Sequence, residues 1–557
     1  MSISLDNELV FLSLGGAGEI GMNLNAYGFG PPEERQWIIV DIGVTFNDPR
    51  APGVDVVMPD PTFLEGERDR LLGIVLTHAH EDHIGAIGRL WPRLRAPIYA
   101  TPFTAILTRE KLKEGGCDGE AVVHEVALGG RITLGPFDIE LVTLTHSIPE
   151  PNGLAIRTPL GLVMHTGDWK IDPDPLIGDL TDEAMLRRLG QDGVLAMVCD
   201  STNALVEGTA GSESDVRRTL AEVIRAQPGK VAVAAFASNV ARLESAMYAA
   251  RDCGRSIVLA GRSMHRIVGA ARSIGLLADM HFVDEEEAGY LPDQALLYLC
   301  TGSQGEPRAA LARIAAGNHP HVKLGPGDSV LFSSRVIPGN EVAIGSLQNA
   351  LTERGVKVIT DRDFAIHTSG HPCRDDLRQM YHWVRPQIAI PVHGEARHIA
   401  EHAALARTLQ VPQVMEIKNG DLLRLAPGPA AVIDETPHGR LAFDGKTLVE
   451  IEAMVFRDRR IAGQEGVLAV SLVMNRKGAV LSGPDVRLRG LGPEDEAARD
   501  RLLDQLESAA EEAIKRAEGP LRQDEDALEQ MLARTMLKTA IRLLHKRPLV
   551  EATVHLL

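Results

Sequence analysis

The 557-residue sequence has little cysteine and no long hydrophobic run. Its five cysteines are odd in number, scattered and never arranged as CxxC, so neither a disulfide framework nor a cysteine-ligated zinc site is indicated. Buried, reduced thiols are expected instead. No apolar stretch approaches the roughly 18 residues that span a bilayer. The start, MSISLDNELVF, is acidic where a signal peptide would be basic, so a cytoplasmic protein without a membrane segment is expected.

Basic residues are also in the minority. The chain has 58 Lys and Arg against 76 Asp and Glu, a formal net charge of −18. This balance argues against indiscriminate coating of nucleic acid, but it leaves a locally basic groove open. The hydrophobic share of 44% is that of an ordinary globular protein, and the length predicts roughly three or four domains. Charge alone does not identify a substrate.

The pattern of strands changes along the chain. From about Glu8 to Thr166, short apolar strands end in polar loops with few helices between them, which predicts layered sheets. After Gly208, strands alternate with helices near 239–253, 265–274 and 340–354, which predicts an inserted parallel α/β domain ending near Asp361. QIAIPVHGE then returns to the first pattern. Beyond a linker rich in Pro and Gly, strands and two amphipathic helices at about 493–518 and 523–546 predict a small α+β domain.

Glycines near the amino terminus imitate a dinucleotide-binding fingerprint. GGAGEIG places Gly16, Gly18 and Gly21 in GxGxxG spacing after a strand pattern, with Asp41 further along the chain. The fingerprint requires a helix to begin in the glycine loop, whereas MNLNAYGFGPPEERQWIIVD predicts a strand, a Pro-Pro loop and a second strand. Nucleotide binding is therefore not expected here.

The densest cluster of ligand-type side chains is LTHAHEDHIG, residues 76–85. Divalent cations bind neutral imidazoles and carboxylates, and a hydrolytic site can hold two such ions a few ångströms apart. In a non-helical loop neighbouring side chains diverge, so His78 and His80 are expected to bind one ion, and Asp82 and His83 the other.

Further ligands are expected where other apolar strands end. His146 in LTLTHS, Asp168 in HTGDWKID and His393 in PVHGE would complete two sites if the strand ends converge on one rim of a sandwich, with Asp168 bridging the ions. For any one histidine alone, a hydrogen-bonded core or surface role is the simpler interpretation. His398 and His402 stand at i, i+4 spacing without the glutamate of an HExxH motif and are expected to be solvated.

Together, THAHEDHIG, Asp41, His146, Asp168 and His393 resemble the metallo-β-lactamase superfamily, and the inserted α/β domain narrows the resemblance to its β-CASP branch of nucleases. CDSTNA, FASN at 236–239, HTSGH at 367–371 and PVHGE at 391–395 resemble the motifs of the ribonuclease J family, over essentially the whole chain. One departure is HPCRDDL, where Pro372 and Cys373 follow His371.

This resemblance implies an α/β fold, a metallo-β-lactamase αββα sandwich with an inserted parallel β-CASP domain and a small C-terminal α+β domain. The expected boundaries are 1–207 for the first part of the metallo-β-lactamase domain, 208–368 for the β-CASP domain, 369–426 for the second part, 427–447 for the linker and 448–557 for the C-terminal domain.

The resemblance also implies roles for particular residues. Two divalent ions per chain are expected, zinc or alternatively manganese. Asp41 would support the ligand loop, and the position of His393 favours RNA over DNA as the substrate. The expected catalytic residues are Asp82, Asp168, Asp200 and His371. The expected substrate-binding residues, lining a phosphate pocket, are Ser238, Asn239, Ser369, Gly370 and His371, although capping of a helix is an alternative role for Ser238 and Asn239.

The implied activity is hydrolysis of RNA phosphodiester bonds in RNA decay and maturation. A 5′-to-3′ exonuclease that prefers 5′-monophosphate RNA is expected, together with endonuclease activity and products that carry a 5′-phosphate. His371 is the candidate donor of a proton to the leaving 3′-oxygen. Two rivals are a small-molecule hydrolase, against which the large insertion and HTSGH argue, and a catalytically weak RNA-binding scaffold, which a missing ligand would reveal. No ligand is missing.

The expected partners are single-stranded RNA, other proteins of RNA decay, and further copies of this chain in a homodimer or homotetramer. The C-terminal domain is expected to serve this assembly because its helices carry an apolar stripe, including Leu502, Leu506 and Ala509, but no ligand cluster. The alternative is that the stripe packs on the strands of its own domain.

Overall fold

The computed structural model describes residues 6–337 and 339–557. Residues 1–5, on which the expectation about a signal peptide partly rests, lie outside this range. Internal contacts divide the chain into two units, one running to Thr45 and from Met58 to Gly439, the other comprising Phe46–Val57 and Arg440–Leu557. Within the described part of the chain, each helix is too short or too polar to cross a bilayer.

The first unit contains two sheets that share one core. The first sheet has eight strands in the order Ala431–Glu435, Asp421–Ala426, Glu8–Gly15, Leu24–Gly30, Gln36–Val40, Leu71–Val75, Ile98–Ala100 and Val123–Glu125. The second has seven, in the order Arg131–Leu134, Phe137–Thr143, Asn152–Thr158, Gly161–His165, Ala196–Asp200, Ile388–Val392 and Gln413–Val414. Side chains of both sheets, such as Phe11 and Ile38 from the first and Ile156 and Val198 from the second, belong to one buried cluster.

Helices cover the outer faces of this sandwich. The second sheet packs its outward side chains, including Met164 and Met197, against apolar residues of Glu183–Asp192, Arg374–Val384 and Ala396–Thr408. Pro102–Glu114 contacts the last two strands of the first sheet, and Ile87–Leu94 packs beside it. Short helices lie at Thr62–Gly66, Arg68–Arg70 and Glu81–Ile84. The layers are therefore helix, sheet, sheet and helix, as predicted.

A parallel α/β domain is inserted between two neighbouring strands of the second sheet. The chain leaves the sheet after Ala196–Asp200 and returns at Ile388–Val392, and these strands pair in parallel with Asp200 opposite Val392. The inserted sheet has the order Ser256–Ala260, Leu296–Cys300, Val231–Ala234, Ser329–Phe332 and Lys357–Ile359, with all of its pairs parallel. Its helices are Glu213–Arg225, Val240–Asp252, Arg262–Ser273, Glu287–Tyr290, Asp293–Ala295, Ala310–Ala315 and Glu341–Glu353.

A four-stranded sheet has the order Thr447–Glu450, Arg440–Asp444, Val56–Pro59 and Thr45–Phe46. The second unit also contains a three-stranded sheet in the order Val480–Arg489, Val467–Met474 and Leu549–Leu556. Its helices are Met454–Glu465, Glu496–Arg516, Leu521–Gln523 and Glu525–Leu544. The segment 427–447, expected to be a linker, contains the strands Ala431–Glu435 and Arg440–Asp444.

The apolar stripe of the C-terminal helices is used inside its own domain. Leu502 and Leu506 are buried in a cluster with Leu468 and Val470 of the three-stranded sheet. The predicted Ala509 is only half-buried, and its neighbour Ala510 belongs to the cluster instead. The alternative role, packing on the domain's own strands, is therefore the observed one. The stripe consequently offers no support for assembly.

Truncating a leucine of this stripe tests its role in the C-terminal core. Leu506 is 0% exposed, so Leu506→Ala should lower the free energy of unfolding of this unit by about 2–5 kcal/mol through lost contacts and a residual cavity. Amide hydrogen exchange of the strand Val467–Met474 measures this loss. Leu481→Ala is the matched control because Leu481 is 56% exposed and should change the stability by less than about 0.5 kcal/mol. Equal protection in the two variants would contradict the assignment.

Candidate metal centre and active site

The predicted ligands meet at one end of the sandwich. Each follows the end of a strand: His78 to His83 follow Leu71–Val75, His146 follows Phe137–Thr143, Asp168 follows Gly161–His165, and His393 follows Ile388–Val392. Their ligand atoms form two groups within 4.8 Å, His78, His80, His146 and Asp168 in one, and Asp82, His83, Asp168 and His393 in the other. A third group of the same kind joins Asp168 and His393 to Asp200 and His371. The structure therefore brings together all of the predicted ligands.

The ligand motif differs in one respect from the predicted loop. His78 and Ala79 are extended coil, but Glu81–Ile84 forms one helical turn, preceded by His80 as its N-cap residue. The expectation of a non-helical loop was wrong for this half of the motif. Within the turn, Asp82 and His83 still reach the same ion position, because Nε2 of His83 lies 3.7 Å from Oδ2 of Asp82.

A buried aspartate holds this motif from behind. The carboxylate of Asp41 accepts hydrogen bonds from the backbone N–H of Thr77 at 2.8 Å, from the Thr77 hydroxyl at 2.8 Å and from Nδ1 of His83 at 2.7 Å. The bond to Nδ1 fixes the orientation of the His83 ring and turns Nε2 towards the cluster, where it lies 3.2 Å from Nδ2 of Asn23 and 3.2 Å from Oδ2 of Asp168. Gly43, two residues after Asp41, lies against the backbone of the ligand motif. A Cβ at Gly43 would lie 1.6 Å from the carbonyl oxygen of Asp82, so only glycine fits there.

The first ligand group consists mainly of neutral imidazoles. Nδ1 of His80 lies 3.0 Å from Nε2 of His78 and 3.0 Å from Nε2 of His146. Burial lowers the pKa of all three side chains, for His80 to about 4, so they are neutral near pH 7. Nδ1 of His146 donates to the carbonyl of Gly370, which leaves its Nε2 as a lone-pair donor. Three converging lone-pair nitrogens fit a divalent cation.

The second group is rich in carboxylates. Burial lowers the pKa of His83, but the carboxylates of Asp168, Asp82 and Asp41 outweigh burial and raise it. The pKa of His393 is likewise raised, chiefly by Asp168 against the effect of burial. These carboxylates therefore stabilise positive charge at this point, which either protons or a divalent ion supplies.

Asp168 lies between the two groups. Its Oδ2 is 3.2 Å from Nε2 of His83, 3.8 Å from Nε2 of His78 and 3.9 Å from Nε2 of His146. Its Oδ1 is 3.1 Å from Nδ1 of His393. Burial raises the pKa of Asp168, but the effect of His393 and the other imidazoles is larger and lowers the pKa overall. The side chain is therefore an ionised carboxylate. Oδ2 thus faces side chains of both groups and Oδ1 faces the second group, an arrangement that suits a carboxylate shared by two ions.

Asp200 and His371 form a pair at the edge of this cluster. Nδ1 of His371 donates to Oδ2 of Asp200 at 2.8 Å and lies 3.7 Å from Oδ2 of Asp168. Burial lowers the pKa of His371, but the carboxylates of Asp200 and Asp168 outweigh it and raise the pKa. The His371 side chain is 23% exposed, so solvent and a ligand can reach it.

The loop HTSGH closes against the first ligand group. A Cβ at Gly370 would lie 2.7 Å from Cε1 of His146, so glycine is required for this close approach. The Ser369 hydroxyl oxygen accepts hydrogen bonds from Nδ2 of Asn203 at 2.7 Å and from the backbone N–H of His371 at 3.2 Å. With both bonds accepted, the Ser369 hydroxyl keeps its own proton to donate.

Ser238 and Asn239 lie where the helix Val240–Asp252 begins. Asn239 is its N-cap, and its Oδ1 accepts from the backbone N–H of Arg242 at 2.9 Å. The capping role offered as an alternative is therefore observed for Asn239. Ser238 is half-buried and makes no cap contact.

The glycine-rich segment near the amino terminus supports His393. The backbone N–H of His393 donates to the carbonyl of Gly16 at 2.6 Å, and Ala17–Gly18 pairs in parallel with Gly394–Glu395. Strands, not a helix, follow this segment at Leu24–Gly30 and Gln36–Val40. The predicted order of a strand, a loop and a second strand after the glycines is confirmed.

The expectation that His398 and His402 are solvated was wrong. Both are buried, and His402 is fully enclosed. Nδ1 of His402 hydrogen bonds the Ser201 hydroxyl at 2.8 Å, and Nε2 hydrogen bonds the Tyr381 hydroxyl at 3.0 Å. Burial lowers the pKa of His402 to about 4, so it is a neutral hydrogen-bonding residue that contacts Ser201, the residue directly after Asp200.

Sequence reasoning also missed two supporting residues in CDSTNA. The Thr202 hydroxyl lies 3.1 Å from Nδ1 of His393, and the Thr202 N–H donates to Oδ1 of Asp200 at 2.8 Å. Asn203 joins Ser369 to the carbonyl of His371. The sequence offered one indication of this role, since both residues follow closely after the predicted catalytic residue Asp200.

The two-sheet sandwich, the inserted parallel domain and the His/Asp cluster at the strand ends define a metallo-β-lactamase-type hydrolase with a β-CASP insertion. Family models match in four places: a β-lactamase superfamily domain at 36–191, a ribonuclease J β-CASP domain at 228–351, a Zn-dependent metallo-hydrolase RNA specificity domain at 343–415 and a ribonuclease J C-terminal domain at 454–557. The donor set and these matches agree on metal use.

Similar proteins extend this comparison over the whole chain. Ribonuclease J of Sinorhizobium meliloti is 48% identical over 553 residues, covering 99% of this chain and 97% of that protein. Ribonuclease J 1 of Streptococcus pyogenes is 39% identical, covering 87% and 86%. Ribonuclease J of Thermus thermophilus is 34% identical, covering 91% and 88%. The chain belongs to the ribonuclease J family, which confirms the predicted family and fold class.

A solved structure shares the fold at low identity. The crystal structure of a protein of unknown function from Enterococcus faecalis V583 has a TM-score of 0.51 and 15% sequence identity, covering 75% of this chain and 100% of that chain. At this identity the likeness concerns the fold alone.

Removing the carboxylate of Asp41 tests how the ligand loop is held. Asp41→Asn keeps the shape of the side chain but cannot accept all three hydrogen bonds from Thr77 and His83, so the His83 imidazole loses its fixed orientation. We expect about 10- to 100-fold weaker metal affinity, measured by competition with a chelator. Asp69→Asn, at an exposed aspartate, should leave affinity unchanged. Equal affinity in the two variants would show that Asp41 does not support the centre.

Proposed function

We propose that this protein is a metal-dependent ribonuclease that degrades single-stranded RNA from the 5′ end, prefers a 5′-monophosphate, also cuts internally and leaves 5′-phosphates. It would act in RNA decay and maturation. The observation that carries the proposal is the His371–Asp200 pair at 2.8 Å beside the cluster centred on Asp168, which supports a role for His371 as a proton donor next to the candidate metal ligands. The relatives named ribonuclease J support RNA as the substrate.

The chain's own residues would hold two ions. His78, His80 and His146 would bind one ion, Asp82, His83 and His393 the other, and Asp168 both. Zinc suits imidazole-rich sites, and manganese is the alternative that the carboxylates allow. Divalent ions bound there would supply Lewis acidity towards phosphoryl oxygens and a more acidic water for in-line attack.

His371 would act as the general acid. Asp200 holds the proton at Nδ1 of His371 and stabilises the imidazolium form, so the ring can release a proton from its other nitrogen to the leaving 3′-oxygen. The backbone N–H of Thr202 fixes the Asp200 carboxylate in turn. Without this proton, the leaving oxygen would depart as an alkoxide at a high energetic cost.

A compact phosphate pocket would select the RNA end. The Ser369 hydroxyl has a proton to donate, and the absence of a side chain at Gly370 lets this loop approach His146 closely. Ser238 would contribute a second hydroxyl at the start of a helix, where the dipole favours an anion. Asn239 would contribute indirectly, by capping the helix Val240–Asp252 beside Ser238. Short hydroxyls and N–H groups suit one phosphate and would exclude a triphosphate.

A catalytically weak scaffold is not favoured, because every predicted ligand lies in the cluster. The cytoplasmic location and the partners in RNA decay stay predictions. A homodimer or homotetramer through the C-terminal domain also stays a prediction. The helix stripe does not support it, because Leu502 and Leu506 are buried in the core of their own domain.

Matched RNAs that differ only at the 5′ end test this function. The metal-loaded protein should degrade 5′-monophosphate RNA from its end at least about tenfold faster than 5′-triphosphate RNA. The reason is that the proposed pocket has room and hydroxyl donors for one phosphate, whereas a triphosphate is too large for it. Internal cleavage of both should be similar. The Ser238→Ala, Ser369→Ala double variant should lose the preference, while Ser273→Ala, at an exposed serine, should keep it. Equal exonuclease rates on both RNAs in the wild type would refute the pocket.

A further inference from the structure

An exposed arginine, Arg335, lies in a loop whose backbone is fixed. It follows the strand Ser329–Phe332 of the inserted domain. The buried Gln304 side chain donates through Nε2 to the carbonyl of Arg335 at 2.8 Å and accepts through Oε1 from the backbone N–H of Ile337 at 2.9 Å. One buried carboxamide therefore holds the loop on both sides of the arginine.

The Arg335 side chain is tied to the candidate active site. Its Nη1 donates to Oδ1 of Asn203 at 3.1 Å. Asn203 is buried, and its Nδ2 donates to the Ser369 hydroxyl at 2.7 Å and to the carbonyl of His371 at 3.1 Å. A single side chain thus separates the guanidinium from the loop of the proposed phosphate pocket.

The guanidinium has capacity to bind an anion. It carries five N–H donors, and Asn203 accepts a hydrogen bond from only one of its nitrogens, Nη1. Among residues 6–337 and 339–557, no carboxylate forms an ion pair with Arg335, whereas the nearby Arg242 is paired with Glu213. In a chain with a net charge of −18, an unpaired and exposed guanidinium beside an RNA-cleaving site has a phosphate as its natural ligand.

We infer that Arg335, oriented by Asn203, binds a phosphate group of the RNA substrate at the rim of the site. This inference rests on the proposed function and deepens it. Arginine provides a planar fork that pairs with two phosphate oxygens, which the hydroxyls of Ser238 and Ser369 do not provide. The phosphate is either the one at the 5′ end or one within the chain, and the same contact serves both.

RNA binding at several salt concentrations tests the inference. A short, phosphorothioate-linked RNA that resists cleavage is titrated into full-length, metal-loaded protein, with either a 5′-monophosphate or a 5′-hydroxyl. Arg335→Gln should weaken binding about tenfold at low salt and reduce the slope of log affinity against log salt by about one, because one phosphate contact is lost. Loss confined to the 5′-monophosphate RNA assigns the terminal phosphate, and equal loss on both assigns an internal one.

Two further variants distinguish the effect of the positive charge at position 335 from the effect of removing any exposed positive charge. Arg335→Lys keeps the cation and should restore the salt slope with part of the affinity. Arg218→Gln removes another exposed arginine of the inserted domain, one that is already paired with Asp215, and should change neither quantity. Unchanged affinity in Arg335→Gln, or equal losses in Arg335→Gln and Arg218→Gln, would overturn the inference.

The outcome also distinguishes this inference from the proposed function. A wild-type protein that binds and cleaves RNA while Arg335→Gln behaves identically would overturn the role of Arg335 alone. A wild-type protein that neither binds nor cleaves RNA would overturn both.

Discussion

The structure depends on keeping negative charge buried at one end of a sheet sandwich. Asp41, Asp168 and Asp200 are almost completely buried, and charged carboxylates are stable there only with cations or strong hydrogen-bond donors around them. The surrounding imidazoles meet part of this need through protons and direct contacts. Two divalent ions would meet it more fully, because each brings two charges to the point where the ligand atoms converge. The fold, the hydrogen-bonded loops and the proposed chemistry all follow from this requirement.

The inserted domain takes part in the same arrangement because of where it enters the sheet. Asp200 ends one strand and His393 follows its parallel neighbour, so the chain leaves and returns beside the ligands. HTSGH, the last loop of the insertion, therefore reaches His146 through Gly370 and Asp200 through His371. Asn203 then joins this loop to Arg335 of the inserted domain. The proposed phosphate pocket and the proposed general acid are thus connected through a few hydrogen bonds.

The sequence was sufficient to predict the parts that obey local rules. Ligands at strand ends, such as His146 and Asp168, follow from apolar runs that stop at a histidine or an aspartate, and the alternation of strands and helices predicted the parallel insertion. Contacts between distant segments were not predictable. His402 meets Ser201 only after the chain has passed through the whole insertion, and spacing on a helix does not show which face is covered. The stripe at Leu506 fitted either assembly or its own core, and only packing decides between them.

We propose that Asp168 binds both of two metal ions at the rim of the sandwich. Anomalous scattering from crystals grown with zinc or with manganese, recorded at the absorption edge of each metal, tests it most directly. The account predicts two peaks per chain, both at bonding distance from the Asp168 carboxylate, one surrounded by His78, His80 and His146, the other by Asp82, His83 and His393. One peak, or peaks that do not share Asp168, would contradict it.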